Sequence, residues 1–108
     1  MSEMITVATW LGPMDASIRG GKPPLVVNMD PISGYYNITH TPSGYCINGG
    51  VSYTNAKEAR KVRNAVIGLL DWSQDGATIT RQVKRVPILR HKLEDAGLNL
   101  KRSTQKGA

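Results

Sequence analysis

Residues 35–72 read YYNITHTPSGYCINGGVSYTNAKEARKVRNAVIGLLDW, and the local signals along them agree with one another. Thr41-Pro42-Ser43-Gly44 places Pro where φ must be preset and Gly where φ > 0 is needed. This predicts a type I turn with a glycine bulge, closing a hairpin. Tyr35, Tyr36, Ile38, Thr39 and Thr41 before it, and Tyr45, Cys46 and Ile47 after it, suit pleated strands. With the bulge at Gly44, Thr41 faces Tyr45 and His40 faces Cys46. Asn48-Gly49-Gly50 breaks the strand, and Val51-Ser52-Tyr53 is a short third strand or a strand-to-helix corner.

A helix follows. Asn55 is a plausible N-cap with Glu58 as its capping-box partner, and Thr54 is the competing cap. Ala59, Val62, Val66, Leu69 and Leu70 recur at helical spacing and form one apolar stripe. Lys57, Arg60, Lys61 and Arg63 take the other faces. Gly68 is the weak point of a helix reaching Leu70, at about 1 kcal/mol relative to Ala. Trp72 is expected to fold back onto the core.

Working outward, Ile5 to Trp10 alternates like an edge strand, and Leu25 to Met29 is a strong short strand. Residues 12–24 are punctuated by Gly and Pro and read as loop. Gly20-Gly21-Lys22 lacks the spaced first glycine and following Ser or Thr of a phosphate loop. Asp30 to Gly34 is a turn. Residues 77–86 fit a helix or a strand, with helix or irregular structure favoured. Pro87 suits a helix start, Ile88, Leu89, Leu93 and Ala96 an apolar face, and Gly97 a stop. Leu98 and Leu100 can staple back to the core. The expected fold is α+β: a small antiparallel sheet of three or four strands packed on one main helix, with a short C-terminal helix. Residues 1–100 form one domain and 101–108 a basic tail.

At 108 residues the chain can bury a modest core, and the lack of Phe leaves Trp10, Trp72 and four tyrosines as its aromatic bulk. One cysteine rules out an internal disulfide framework and suits a reducing compartment. No run approaches a membrane span, and MSEMITVATWLGPMD lacks signal-peptide character, so the expected location is cytoplasmic. The charge is uneven: residues 1–54 balance to −1 and residues 55–108 to +7. Such a half attracts phosphate backbones or acidic protein surfaces, or is simply a solvated face.

Catalysis has little support. His40 opposite Cys46 is the one pair with a nucleophile's chemistry, and no orienting group or oxyanion donor accompanies it. A hairpin Cys is otherwise a small hydrophobe. No metal-ligand spacing or cofactor fingerprint is present, so no cofactor is expected. Candidate contacts for a partner or nucleic acid are Arg60, Lys61, Arg63, Arg81, Lys84, Arg85, Arg90, Lys92, Lys101 and Arg102. Tyr35, Tyr36, Tyr45 and Tyr53 are candidates for base stacking on an exposed sheet face, though tyrosine is also a common strand residue.

Two resemblances bear on function. A three-stranded meander followed by a helix resembles, in architecture alone, the integrase arm-type and plant AP2-type DNA-binding modules. The run ITHTPSGYCINGG, followed by YTNAKEARKVRNAVIGLLDW, is similar to a strand–turn–strand–helix unit of small tailed-bacteriophage proteins. A threonine-rich strand, a Pro-Ser-Gly turn, a basic helix and a terminal Asp-Trp carry it, over residues 38–72. It implies a phage accessory protein that binds a host protein or nucleoprotein complex, for example an anti-CRISPR inhibitor. A DNA- or RNA-binding module and a small virion or assembly component are the alternatives. The oligomeric state is open, a dimer included.

Overall fold

In the computed structural model, residues 3–48 and 52–98 are described. The chain runs β1 (Met4–Thr9), β2 (Gly12–Lys22), β3 (Leu25–Met29), β4 (Tyr36–His40), β5 (Tyr45–Cys46), α1 (Ala56–Val66), α2 (Gly76–Arg85) and α3 (Pro87–Asp95). The five strands form an antiparallel meander in sequence order. The α+β class stands, and the strand count rises above the three or four expected.

The extra strand is β2, from residues expected to be loop. Its glycines and Pro13 do not break it, because β1 pairs with it from Met4↔Ser17 to Thr9↔Gly12. Opposite β3 the register shifts between Ile18 and Gly20, leaving Arg19 as a bulge. Only Pro23 and Pro24 separate β2 from β3.

The sheet has two unlike faces. Leu25 and Val27 with Ile38 point to α1 and are fully buried. Val26, Asn28, Asn37 and Thr39 point the other way, as strand alternation requires, and are buried too. The sheet curls so that β1 reaches the β4–β5 turn, the Ala8 N–H donating to the Gly44 carbonyl at 2.8 Å. The polar residues satisfy one another: Thr39 donates to Asn28, Asn48 and Ser52 donate to Asn37, and Asn37 donates to Asp30.

The hairpin forms, in a register one residue from that expected. Thr39 pairs with Cys46 and His40 with Tyr45. Both the Ser43 and Gly44 N–H groups donate to the His40 carbonyl, so the turn closes on His40, not Thr41. Tyr53 makes an isolated bridge to Tyr36.

Asn55 caps α1, its side chain accepting from the Glu58 N–H at 2.7 Å. Ala59, Val62 and Val66 form the buried stripe. The helix stops at Val66, so Gly68 lies beyond it; Leu69 and Leu70 reach the core from the following turns. Trp72 returns as expected, and its Nε1 donates to the Val66 carbonyl. Residues 76–85 are helical because Asp75 caps them and Ile79 finds the core. Pro87 opens α3, and only Leu93 of its expected apolar face is fully buried, while Ile88 is exposed. The Leu98 N–H donates to the Leu93 carbonyl and the Gly97 N–H to that of Glu94, a Schellman closure that turns Leu98 into the core. Leu100 and the basic tail lie outside the described residues.

Candidate partner-binding surfaces

Arg60 and Arg63 project from α1 across the β2–β3 hairpin. Arg60 Nη1 donates to the Arg19 carbonyl at 3.0 Å, the carbonyl of the bulge residue. Arg63 Nε donates to the Leu25 carbonyl and Nη2 to that of Lys22, both at 3.0 Å. The approach is possible because the strand beneath is Gly20-Gly21. A Cβ on Gly20 would stand 2.4 Å from Arg60 Cδ, and one on Gly21 2.9 Å from Arg63 Nε. Two expected contact residues are therefore also structural clamps.

The clamp gathers charge that the sequence reading left apart. It brings Arg19 and Lys22 beside Arg60 and Arg63, from segments about 40 residues apart (41 for the Arg60 bond). Arg19 and Lys22 were not expected at the site. The signal that could have found them is the strand pairing of residues 12–22, masked by Gly-Pro punctuation. Lys57 and Lys61 are exposed on the same helix.

A second surface lies between the β4–β5 turn and the α2–α3 pair. It is a cleft of about 590 Å3, floored by Ile47, Trp72, Ile79, Val83, Leu93 and Leu98. Lys84 and Arg90 stand at its rim. Arg81, Arg85 and Lys92 are exposed on the same two helices. Among the described residues the one ion pair is Arg90–Glu94, at 3.9 Å. The turns bordering the clamp and the cleft lie at one end of the sheet, joined by the Thr41 N–H donating to the Pro24 carbonyl at 2.9 Å. At the other end Trp10, Leu11, Ile32 and Tyr35 are exposed. Trp10 and Ile32 border a smaller cleft of about 290 Å3 over the Asn28, Asn37 and Thr39 face.

The tyrosines do not share a platform. Tyr53 is buried, its hydroxyl donating to the Gly97 carbonyl at 3.0 Å; desolvation, with the Glu58 carboxylate, pushes its pKa up to about 12. Tyr36 packs on the core, and Tyr35 and Tyr45 are exposed beyond opposite ends of β4. The outer face of β3 and β4 is buried and carries no arginine, unlike a sheet that reads a DNA groove.

The His40–Cys46 pairing is replaced by another arrangement. His40 is buried; its Nε2 lies 2.7 Å from the Trp72 carbonyl and its Nδ1 2.8 Å from Ser43 Oγ. Both ring nitrogens are thus engaged away from the thiol. Desolvation pushes the Cys46 thiol up; the Asn48 backbone opposes this and the Asp30 carboxylate adds to it. A raised thiol is the reverse of an activated nucleophile. Ser43 is hydrogen-bonded to His40, yet the neighbouring N–H groups of Ser43 and Gly44 bond the His40 carbonyl and that of Tyr45 bonds Ser43 Oγ. No donor in this turn is left for an oxyanion. Among the described residues no His, Cys, Asp and Glu group could hold a metal ion, and no helix is long and apolar enough to cross a membrane.

Comparison with protein-family models, curated proteins and solved structures finds no match.

Proposed function

We propose that the protein is a non-enzymatic accessory protein that binds a host protein or nucleoprotein complex in the cytoplasm and blocks or redirects it, as an anti-CRISPR or similar anti-defence protein does. What carries the reading is how its cations are held. Arg60 and Arg63 are anchored on carbonyl oxygens, which fix their position without cancelling their charge. Among the described residues only Arg90 is ion-paired, in a chain of net charge +6. A rigid, uncompensated cationic end draws an acidic partner at long range and loses that attraction as salt rises. The commitment of His40 and Ser43 to the fold, and the raised thiol, support a role without bond-making. The likeness of residues 38–72 to small phage proteins supports the accessory setting.

The test is affinity capture from a bacterial lysate on full-length tagged protein, at about 50 and 300 mM salt, with DNA and RNA gel shifts alongside. A discrete host protein retained at low salt and weakened at high salt, surviving nuclease treatment, is the expected result. Capture of nucleic acid alone, with a steep salt slope, would overturn it in favour of a DNA- or RNA-binding module, a reading favoured by the Arg19, Lys22, Arg60 and Arg63 cluster. Turnover of a small molecule that is lost on replacing Cys46 or His40 would end the non-enzymatic reading.

A further inference from the structure

The cleft between the β4–β5 turn and the α2–α3 pair has the composition of a small-ligand site. Its volume, about 590 Å3, falls within the range of about 300–1,000 Å3 typical of ligand pockets. Its floor is aliphatic and aromatic, with Trp72 at its base. Among the described residues lining it there is no carboxylate, and two cations, Lys84 and Arg90, stand at the rim. Lys84 is exposed, and Arg90 shares its guanidinium with Glu94 across 3.9 Å. With Arg90 balanced by Glu94, the exposed Lys84 leaves the rim net positive, and an apolar cavity with such a rim selects an apolar body with a head of opposite sign.

We propose that this cleft binds a free anionic amphiphile: an alkyl chain on the floor of Ile79, Val83 and Leu93, its carboxylate held by Lys84 with Arg90 beside it. Transfer of the chain from water supplies affinity, and the charge-assisted hydrogen bond to Lys84 supplies the preference for an anion. His40 and Ser43 line the cleft with their polar atoms engaged, so they shape its wall. No residue of the Arg60–Arg63 clamp lines the cleft, and the site stands whether or not that clamp meets a partner.

Decanoate, below its micelle-forming concentration, is titrated into full-length Trp10→Phe protein. Of the two tryptophans, only Trp72 then reports. The expected result is a saturable change in the emission of Trp72, which lines the cleft. Decyltrimethylammonium binds about tenfold more weakly or worse, and Lys84→Glu lowers decanoate affinity by about tenfold while leaving the fold intact. A non-saturating signal, equal binding of the two amphiphiles, or unchanged affinity in Lys84→Glu overturns the proposal. So does a Trp72 change with phosphatidylglycerol vesicles but not with decanoate, which would mean a membrane surface. A change that follows protein concentration without decanoate would mean a second copy in the cleft, and overturns it equally.

Discussion

His40 Nε2 stands 2.7 Å from the carbonyl oxygen of Trp72, 32 residues further along the chain. A carbonyl only accepts, so Nε2 carries the proton, and in the neutral ring Nδ1 accepts from Ser43 Oγ at 2.8 Å. One imidazole therefore ties the hairpin turn to the segment between α1 and α2.

This tie gives the first prediction. His40→Ala leaves a cavity and strands buried polar partners, and costs about 2–4 kcal/mol in urea unfolding. Ser43→Ala costs less, about 1 kcal/mol, because Oγ is only partly buried. Nitrogen-15 shifts of the His40 ring are expected to show the Nε2-protonated form. The opposite tautomer, or an unaltered midpoint in His40→Ala, would refute the assignment.

The clamp gives the second. Arg63→Lys cannot supply two N–H donors in one plane to the Leu25 and Lys22 carbonyls, and loses about 1–2 kcal/mol. Gly21→Ala is worse placed: φ there is +74°, and the new Cβ meets the Leu25 carbonyl at 2.8 Å and Arg63 Nε at 2.9 Å. It is expected to lose about 1–3 kcal/mol by thermal or chemical unfolding. Wild-type stability in both variants would show that the arginines are not structural clamps.

Where the chain's signals are local, the fold is legible. Asn55 at the cap, the Ala59–Val62–Val66 stripe, Pro87 and Gly97 all act where their chemistry puts them. The misreadings are tertiary. Gly12, Pro13, Gly20 and Gly21 resemble loop because local propensity cannot see that β1 and β3 flank them and that Arg60 and Arg63 cover them. The hairpin slipped by one because the turn closes on the His40 carbonyl, a choice fixed by burial of His40 against Trp72. The cations of α1 to α3 were visible, but their gathering with Arg19 and Lys22 depends on long-range pairing. Trp10 and Leu11 occupy a hairpin tip that alternation alone could not locate.

The third prediction concerns alkaline pH. Tyr53 has a folded pKa of about 12 against an ordinary 10.0, so the native state holds its proton where the unfolded chain releases it. Its contribution is fully present below about pH 10 and is lost as pH rises towards about 12, a fall of at most about 2–3 kcal/mol. Tyr53→Phe loses the hydrogen bond to the Gly97 carbonyl, about 1 kcal/mol at neutral pH, and flattens this part of the alkaline profile. Chemical denaturation of both proteins from pH 8 to 11.5 separates the Tyr53 term from lysine deprotonation, which both share. Parallel curves would remove Tyr53 as the cause.

The fourth prediction separates binding from folding. Arg81 and Arg85 lie one turn apart on α2, both exposed; Arg81 donates to the Thr78 hydroxyl at 3.3 Å and weakly favours the charged form of the Asp75 cap. Replacing both by Glu reverses four units of charge and removes no core atom, so stability shifts by about 0.5 kcal/mol per site or less. Partner binding is expected to fall about tenfold or more, mostly through slower association, with a shallower salt dependence. Arg63→Glu makes the contrast, because it breaks the clamp and lowers stability as well as binding. Undiminished partner affinity in Arg81→Glu/Arg85→Glu, with the protein folded, would move the contact surface off α2. The exposed Trp10–Leu11 end would then be the next face to test.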